Sequence, residues 1–345
     1  MNESSRELPV EHDDSCSTVS VALGTYNGAA YLETQLLSIL TQTRPVSQIV
    51  LSDDNSSDDS VAIAKAVVGR HNERGGAPVQ LVVLENSVNL RVTKNFEQAI
   101  RACTGDLVLL SDQDDTWHPT KVSRLTEVLF SPTGQAPLLA FTDARLVDER
   151  GHPLGLTLFE AIEVSASERA EVASGRAFEA LLRRNLATGA TVAFRRELLT
   201  HALPIPEEWV HDEWLAVIAA AVGSVAIVDE PLVDYRQHGA NVIGARQQSF
   251  WQKLRKLVKP RRDRNRRLFD RARTLAPRLQ DLEGVSDERR LAAQQKLEHE
   301  TVRIRLPRSR FGRIRPILRE LKTGRYSLYD YGKKDAVRDF LQPDR

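Results

Sequence analysis

The chain has 345 residues, 41% of them hydrophobic, which suffices for one large domain with an appendage or for two domains. Its 48 basic and 47 acidic residues nearly cancel, which argues against a generally basic nucleic-acid binder and against an acidic solvating protein. The two cysteines, Cys16 and Cys103, show no metal-type spacing and suggest no disulfide framework, as fits a reducing cytosol.

In chain order, Met1 to Ser15 offers no basic stretch followed by an apolar run, so no secretory signal is expected. After a polar tail over 1–17, TVSVALGTYN reads as a β-branched strand ending at Gly24, and AAYLETQLLSILTQT carries Leu and Ile at helical spacing. A second strand, PVSQIVLSDD, stops at Asp53, and acidic and hydroxyl residues open the helix DDSVAIAKAVVGRH. A third strand (VQLVVLENS), a third helix (VTKNFEQAIRACTG) and a fourth strand (DLVLLSDQDD) follow. Strands alternating with helices at this spacing imply right-handed βαβ units and a mostly parallel sheet.

Past Pro137 the rhythm changes to a strand and turn (PLLAFTDARLVDERGHPLG), then a helix, loop and strand (ALLRRNLATGATVAFRREL). WLAVIAAAVGSVAIVDEP reads as a buried helix and strand, because Gly223 and Ser224 interrupt it and a membrane span wants about 18 uninterrupted apolar residues. From about Phe250 the chain becomes charged and helix-prone.

Ligands of a parallel α/β sheet bind outside the carboxyl ends of its strands. Polar clusters stand at four such ends: Thr25, Tyr26 and Asn27; Asp53 and Asp54; Asn86 and Asn89; and Asp112, Asp114 and Asp115. Three carboxylates in four residues raise one another's pKa and call for a positive charge nearby. Asp112 and Asp114, at i and i+2 beyond a strand, can converge on one hard cation, and Mg2+ or Mn2+ commonly bridges protein carboxylates to substrate phosphates. The stretch SDDNSSDDS also reads as an Asx-rich turn that caps the next helix.

In this order, these residues resemble the inverting glycosyltransferases of family 2, with the GT-A fold, from Val19 to about Gly244. VALGTYNGAAYLETQLLSILTQT resembles that family's opening strand and helix, VLSDDNSSDDS its nucleotide-contacting acidic turn, and LLSDQDDTWHPTKV its Asp-x-Asp metal motif. NLATGATVAFRREL, HDEWLA and YRQHGANVIGA resemble the rhamnosyltransferase-like branch of bacterial surface-polysaccharide enzymes. The resemblance implies a GT-A (Rossmann-like) α/β domain over 18–249, its mixed, mostly parallel sheet flanked by helices, and a charged helical region over 250–345.

It further implies that Asp112 and Asp114 serve the divalent ion and the donor diphosphate. Asp53 and Asp54 would contact base or ribose, and Thr25, Tyr26, Asn27 and Asn89 would line the nucleotide pocket. Gly189, in the loop ATGAT, would let the backbone approach the sugar. Asp212 matches the general base, which in an inverting transfer deprotonates the acceptor hydroxyl as it attacks the anomeric carbon. Glu213 stands where the branch often has an aromatic residue and is the other carboxylate at that place. Read without the resemblance, Asp212 is equally a helix start signal before EWLAVIAAA. Lys94 reads as a solvated helix residue or a phosphate contact, and His238 as an ordinary loop histidine or a ligand to metal or diphosphate. Trp117, Trp209 and Trp214 read as core or as sugar platforms.

The run WQKLRKLVKPRRDRNRRLFDRARTLAPRL reads as a solvated helical face or as a peripheral contact with anionic lipid, and no nucleic-acid motif accompanies its charge. The expected function is metal-dependent sugar transfer in the cytoplasm from a nucleoside-diphosphate donor, with dTDP-rhamnose favoured, to a glycan or lipid-linked acceptor. A nucleotidyltransferase is the rival, weakened by the lack of a Gly-rich phosphate loop near the N-terminus. A non-catalytic sugar-nucleotide or glycan-binding protein is the third, weakened by the intact acidic set. Lack of membrane spans and of a Gln-x-x-Arg-Trp string weighs against a processive synthase.

Overall fold

The computed structural model describes residues 17–132, 136–237 and 261–343. Strand β1 (Val19–Thr25) leads to helix α1 (Ala29–Leu40), β2 (Gln48–Asp53) to α2 (Ser60–Glu73), and β3 (Gln80–Glu85) to α3 (Arg91–Ala102), with β4 (Leu107–Ser111) next. β2 and β4 are buried along their whole length. Near-continuous apolar runs such as LVLLS are what a parallel strand covered on both faces demands. β2, β1 and β4 stack in parallel with β3 at the edge.

The chain then runs through β5 (Thr116–Trp117), α4 (Lys121–Leu129), β6 (Leu139–Val147), β7 (Pro153–Thr157), α5 (Leu158–Ala161), α6 (Ala166–Ala173) and α7 (Ala177–Arg183). It continues as β8 (Val192–Arg195), α8 (Leu199–Ala202), α9 (His211–Val222) and β9 (Val225–Arg236). Among the described residues one nine-stranded sheet has the order β3-β2-β1-β4-β8-β6-β9-β5, with β7 on β6. β8 is antiparallel to both β4 and β6, and β5 is antiparallel to β9. The sheet is therefore mixed, as expected.

Four strand spacings separate β4 from β5, about 19 Å if the sheet were flat. Ser111 and Thr116 are joined by five residue steps, which reach at most about 17 Å. The sheet must therefore curl, and the 112–115 loop is drawn out across its carboxyl edge. The two-residue β5 is too short to be read from the sequence. Thr157 with Glu160 and Ser165 with Glu168 form capping boxes that start α5 and α6.

The last region comprises α10 (Arg261–Asp281), α11 (Asp287–Ile304), α12 (Arg310–Lys322), α13 (Arg325–Tyr329) and α14 (Lys333–Leu341). Leu275, Ala276 and Leu279 of α10 and Ala293 of α11 share one core with Phe96, Phe178 and Trp214. The change in composition near Phe250 is thus not a break in packing. Part of the basic run is occupied inside the molecule, while Arg266, Arg267 and Arg273 are exposed. Arg264 pairs with Asp335 at 2.9 Å, Arg271 with Glu213 at 2.5 Å, and Arg278 donates to the carbonyls of His201 and Leu203 at 2.7 and 2.8 Å.

Beneath these helices Arg303, with no exposed side-chain surface, donates to Glu300, Asp330 and Asp339 at 3.0, 2.8 and 2.7 Å. His299 bridges Glu320 at 2.7 Å and Asp330 at 2.9 Å. Burial alone would lower the His299 pKa, but the bonds to Asp330 and Glu320 outweigh it and the pKa is raised. A raised folded-state pKa stabilises below the unfolded value of about 6.5 and is lost as pH rises through the folded value. Thermal melts should therefore show Tm falling as pH is raised through that window, a slope that His299→Gln removes. A slope that persists in the variant would assign it to another group.

Candidate active site

A cleft of about 550 Å³ opens at the carboxyl ends of β1, β2 and β4, and Thr25, Tyr26, Asp54, Asn89, Asp112 and Asp114 all line it. Asn27, Asp53, Lys94, Gly189 and Asp212 do not belong to that lining. His238 lies outside the described residues.

The turn after β1 is held by a residue that the sequence reading passed over. Gln113 accepts from Thr25 Oγ1 at 2.7 Å and from the Tyr26 N–H at 2.8 Å, and donates to the Tyr26 carbonyl at 3.2 Å. A Cβ at Gly28 would lie 2.3 Å from Gln113 Oε1, so any side chain there would displace Gln113 from the turn. Asn27, at φ 49°, accepts from the Ser57 N–H at 2.9 Å, and Asp58 accepts from the Ala29 N–H at 2.9 Å. The acidic turn thus locks onto the head of α1. Asp59, at the N-cap of α2, makes no side-chain capping bond, and Asp58 accepts from the Ser60 N–H at 3.1 Å. Gln113→Ala should weaken nucleoside-diphosphate binding about tenfold, or roughly 1.4 kcal/mol, through the loosened turn. Titration calorimetry measures this, and unchanged affinity would show that the turn does not contact the nucleotide.

Asp54 shapes the opposite wall. Its carboxylate accepts from the N–H groups of Leu90 and Arg91 at 2.6 and 3.0 Å and from Asn86 Nδ2 at 3.1 Å, while Asn89 Nδ2 donates to its carbonyl at 3.2 Å. Asp53 accepts from the Ser56 N–H at 2.9 Å, and its buried Oδ1 has no partner among the described residues. Lys94 Nζ is occupied by Glu97 at 2.7 Å and the Ile205 carbonyl at 2.8 Å, which ties α3 to the loop before α9.

At the centre, burial pushes the Asp112 pKa up to about 7, helped by the charges of Asp114 and Asp212 and opposed by Lys121. Asp115 is buried and raised well above the carboxylate range by desolvation and by the same crowd. Its Oδ1 accepts from the Arg236 N–H at 3.0 Å, and its Oδ2 has no partner among the described residues. The positive charge that the sequence called for comes from Lys121, while Arg236 braces the loop. Lys121, buried and lowered to about 7 by desolvation, stands 3.7 Å from the Trp117 ring centre and donates to the Ala190 carbonyl at 2.7 Å. Arg236 donates from Nε to the Asp114 carbonyl at 2.7 Å and from Nη1 to the Glu149 carbonyl at 2.8 Å.

Among the described residues Lys121 alone faces Asp112 and Asp115, whose raised pKa values show a shortage of positive charge, and the donors are all oxygen. The cluster therefore fits a hard divalent cation, with Asp112 and Asp114 as the residues that would hold it. A tighter group, His299, Glu300 and Asp330, has ligand atoms within 4.8 Å of one another. Those atoms already face Arg303 and each other, so we read it as a buried ion-pair network.

Behind Asp112, Asp212 sits in the first turn of α9. It accepts from the Gly189 N–H at 2.9 Å and the Glu213 N–H at 2.7 Å, and burial raises its pKa to about 6. Val210 holds the N-cap position without a side-chain bond, so Asp212 is not the cap residue. At Gly189 a Cβ would meet His211 Nε2 at 3.1 Å, and the missing side chain lets Asp212 and His211 close on the loop. His211 stacks on Phe96, centroids 4.1 Å apart, and desolvation lowers it to about 3, so it is neutral. Trp117 and Trp214 are core residues, and Trp209 donates to Thr274 Oγ1 at 2.9 Å.

Residues 20–148 match the family described as Glycosyl transferase family 2. That span contains the first turn, Asp54 and the Asp112–Asp114 pair, while Gly189 and Asp212 lie beyond it. The chain is 27% identical over 229 residues to the uncharacterized glycosyltransferase alr2836 of Nostoc sp., covering 65% of this chain and 66% of that one. It is 29% identical over 117 residues to the dTDP-rhamnosyl transferase RfbG of Shigella flexneri, covering 31% and 36%. The chain thus spans at most 66% of the length of either relative. TarS 1–349 of S. aureus, in complex with UDP-GlcNAc, has a TM-score of 0.57 at 14% identity, covering 94% of this chain and 89% of that one. The mannosyltransferase PcManGT of Pyrobaculum calidifontis, in complex with GDP-Man and Mn2+, has a TM-score of 0.50 at 18% identity, covering 94% and 84%. The half of the sheet that carries the acidic motif thus matches a Glycosyl transferase family 2 domain over residues 20–148, and the chain as a whole shares the GT-A fold of these transferases.

Proposed function

We propose that this chain transfers a sugar, with inversion, from a nucleoside-diphosphate donor to a hydroxyl of a glycan or lipid-linked acceptor in bacterial surface polysaccharide synthesis. The observation that carries this reading is the meeting of the Gln113-braced turn and the Asp112–Asp114 pair at one cleft, with Asp212 outside its lining but near enough for its charge to act on Asp112. The turn and the Asp54 wall bind and orient the nucleotide. Asp212, with a pKa near 6, is ionised at neutral pH and takes the proton of the attacking hydroxyl. Its two backbone donors hold the carboxylate in place for that step. A bound Mg2+ or Mn2+ would offset charge building on the leaving diphosphate.

The favoured donor is dTDP-rhamnose, supported by the resemblance of YRQHGANVIGA to the rhamnosyltransferase-like branch and by the partial likeness to RfbG. Incubating the protein with a panel of nucleotide sugars and a hydroxyl acceptor, with and without Mn2+, tests the class. Release of nucleoside diphosphate with an inverted product anomer supports it. Release of pyrophosphate would move the chain to the nucleotidyltransferases, and binding with no turnover across acceptors would leave a sugar-nucleotide binder.

A further inference from the structure

The far side of the C-terminal region carries a feature that the sugar chemistry does not use. Helix α12 turns Arg313, Ile317 and Glu320 inward, at i, i+4 and i+7. On its outer side Phe311, Ile314 and Leu318 stand at i, i+3 and i+7 with 85%, 39% and 50% of their surface exposed. Spacing of that kind makes a continuous apolar stripe along one helix face. Arg310 donates to the Leu341 carbonyl at 3.0 Å, which brings Leu341, itself exposed, to the start of the same helix.

The stripe is flanked by positive charge. Arg315, Arg319 and Lys322 are exposed, and none has an ion-pair partner among the described residues. The only acidic residue of α12, Glu320, is buried against His299, so nothing negative stands on the outer side of the helix. An exposed phenylalanine costs free energy in water, and contiguous exposed apolar residues rimmed by charge mark an interaction surface. A helix with low overall hydrophobicity, an apolar stripe and a basic flank lies in the plane of a bilayer interface, its stripe among the acyl chains and its arginines at the headgroups. No helix among the described residues is long and apolar enough to cross a membrane, so the contact is one of docking.

We infer that α12 docks this protein on an anionic lipid bilayer, with Phe311, Ile314 and Leu318 inserted and Arg315, Arg319 and Lys322 facing the headgroups. The surface lies on a different helix from the basic run around Arg261–Asp281, in which Arg264, Arg271 and Arg278 are taken up by packing. It is independent of the donor, metal and base assignments.

Flotation of the full chain with vesicles of phosphatidylcholine, with and without phosphatidylglycerol, tests it. Binding is expected only to the vesicles with phosphatidylglycerol, and should weaken with added salt. Combined Arg315→Gln, Arg319→Gln and Lys322→Gln should lower the partition coefficient about fivefold per residue, which corresponds to about 1 kcal/mol each. Phe311→Ser with Leu318→Ser should lower it at least as far while the charge is unchanged. All five positions are exposed, and Tm and nucleoside-diphosphate affinity should match wild type. Wild-type protein that stays with the soluble fraction, or variants that float as well as wild type, overturn the proposal. A concentration-dependent dimer that Phe311→Ser dissolves, with no vesicle binding, would assign the stripe to a second copy of the chain and overturn it too.

Discussion

Asp212→Asn is expected to lower transfer to the acceptor by about 10² to 10⁴ while donor affinity holds, the range for a lost general base. Both carboxylate oxygens accept a backbone N–H, from Gly189 and from Glu213, and the amide oxygen of asparagine preserves one of these bonds. The substitution therefore keeps size and one of the two anchoring bonds but cannot take a proton. A base works deprotonated, so wild-type transfer should fall as pH drops through about 6, with a bound cation drawing that limb lower. The limb should vanish from the residual activity of the variant. Single-turnover transfer at saturating donor, measured beside donor titrations, gives both numbers. Transfer near wild type would place the base elsewhere, with Glu213 the first candidate despite its pairing to Arg271 at 2.5 Å. Collapse of donor affinity would make Asp212 a donor-site residue.

The second large effect concerns the metal. Asp114→Ala should reduce Mn2+-dependent nucleoside-diphosphate affinity by more than the about 10- to 100-fold that loss of an outer-shell partner costs. The loop should keep its course, because Arg236 holds the Asp114 carbonyl at 2.7 Å and Thr116 and Trp117 stay paired with β9. Without metal the variant should melt no lower than wild type, since one of several crowded like charges has been removed. Calorimetric titration with and without Mn2+ decides the matter, and equal affinities would overturn the assignment of metal to this pair.

The strand ends were legible because each is an apolar, β-branched run stopped by a polar cluster. β2 ends at Asp53, and β4 ends one residue before Asp112. What lay hidden depends on distant pairing. Gln113 looked like a spacer between two aspartates, and its bonds to Thr25 and Tyr26 cross 88 and 87 residues. Lys121 starts a helix of ordinary amphipathic pattern, where a lysine reads as solvated, and only the fold buries it beside the carboxylates. In α11, Lys296, His299, Glu300 and Arg303 fall at i, i+3, i+4 and i+7, the mark of a solvent face by periodicity. They are buried because their charges answer one another and those of Asp330 and Asp339.

The drawn-out loop between β4 and β5 bears on how the site comes into being as the chain is synthesised. Its near end is fixed once β4 lies beside β1, early in the chain. Its far end waits for β9, since Asp114 and Asp115 are tied to Arg236 across 122 and 121 residues. A nascent chain that has emerged only as far as residue 148 holds Asp112, Asp114 and the turn after β1, yet its loop lacks the Arg236 bonds to the Asp114 carbonyl and the Asp115 carboxylate. The cleft should therefore take its final shape late, once β9 has left the ribosome, and on the proposed roles a partly made chain would be kept from capturing cation or sugar nucleotide early.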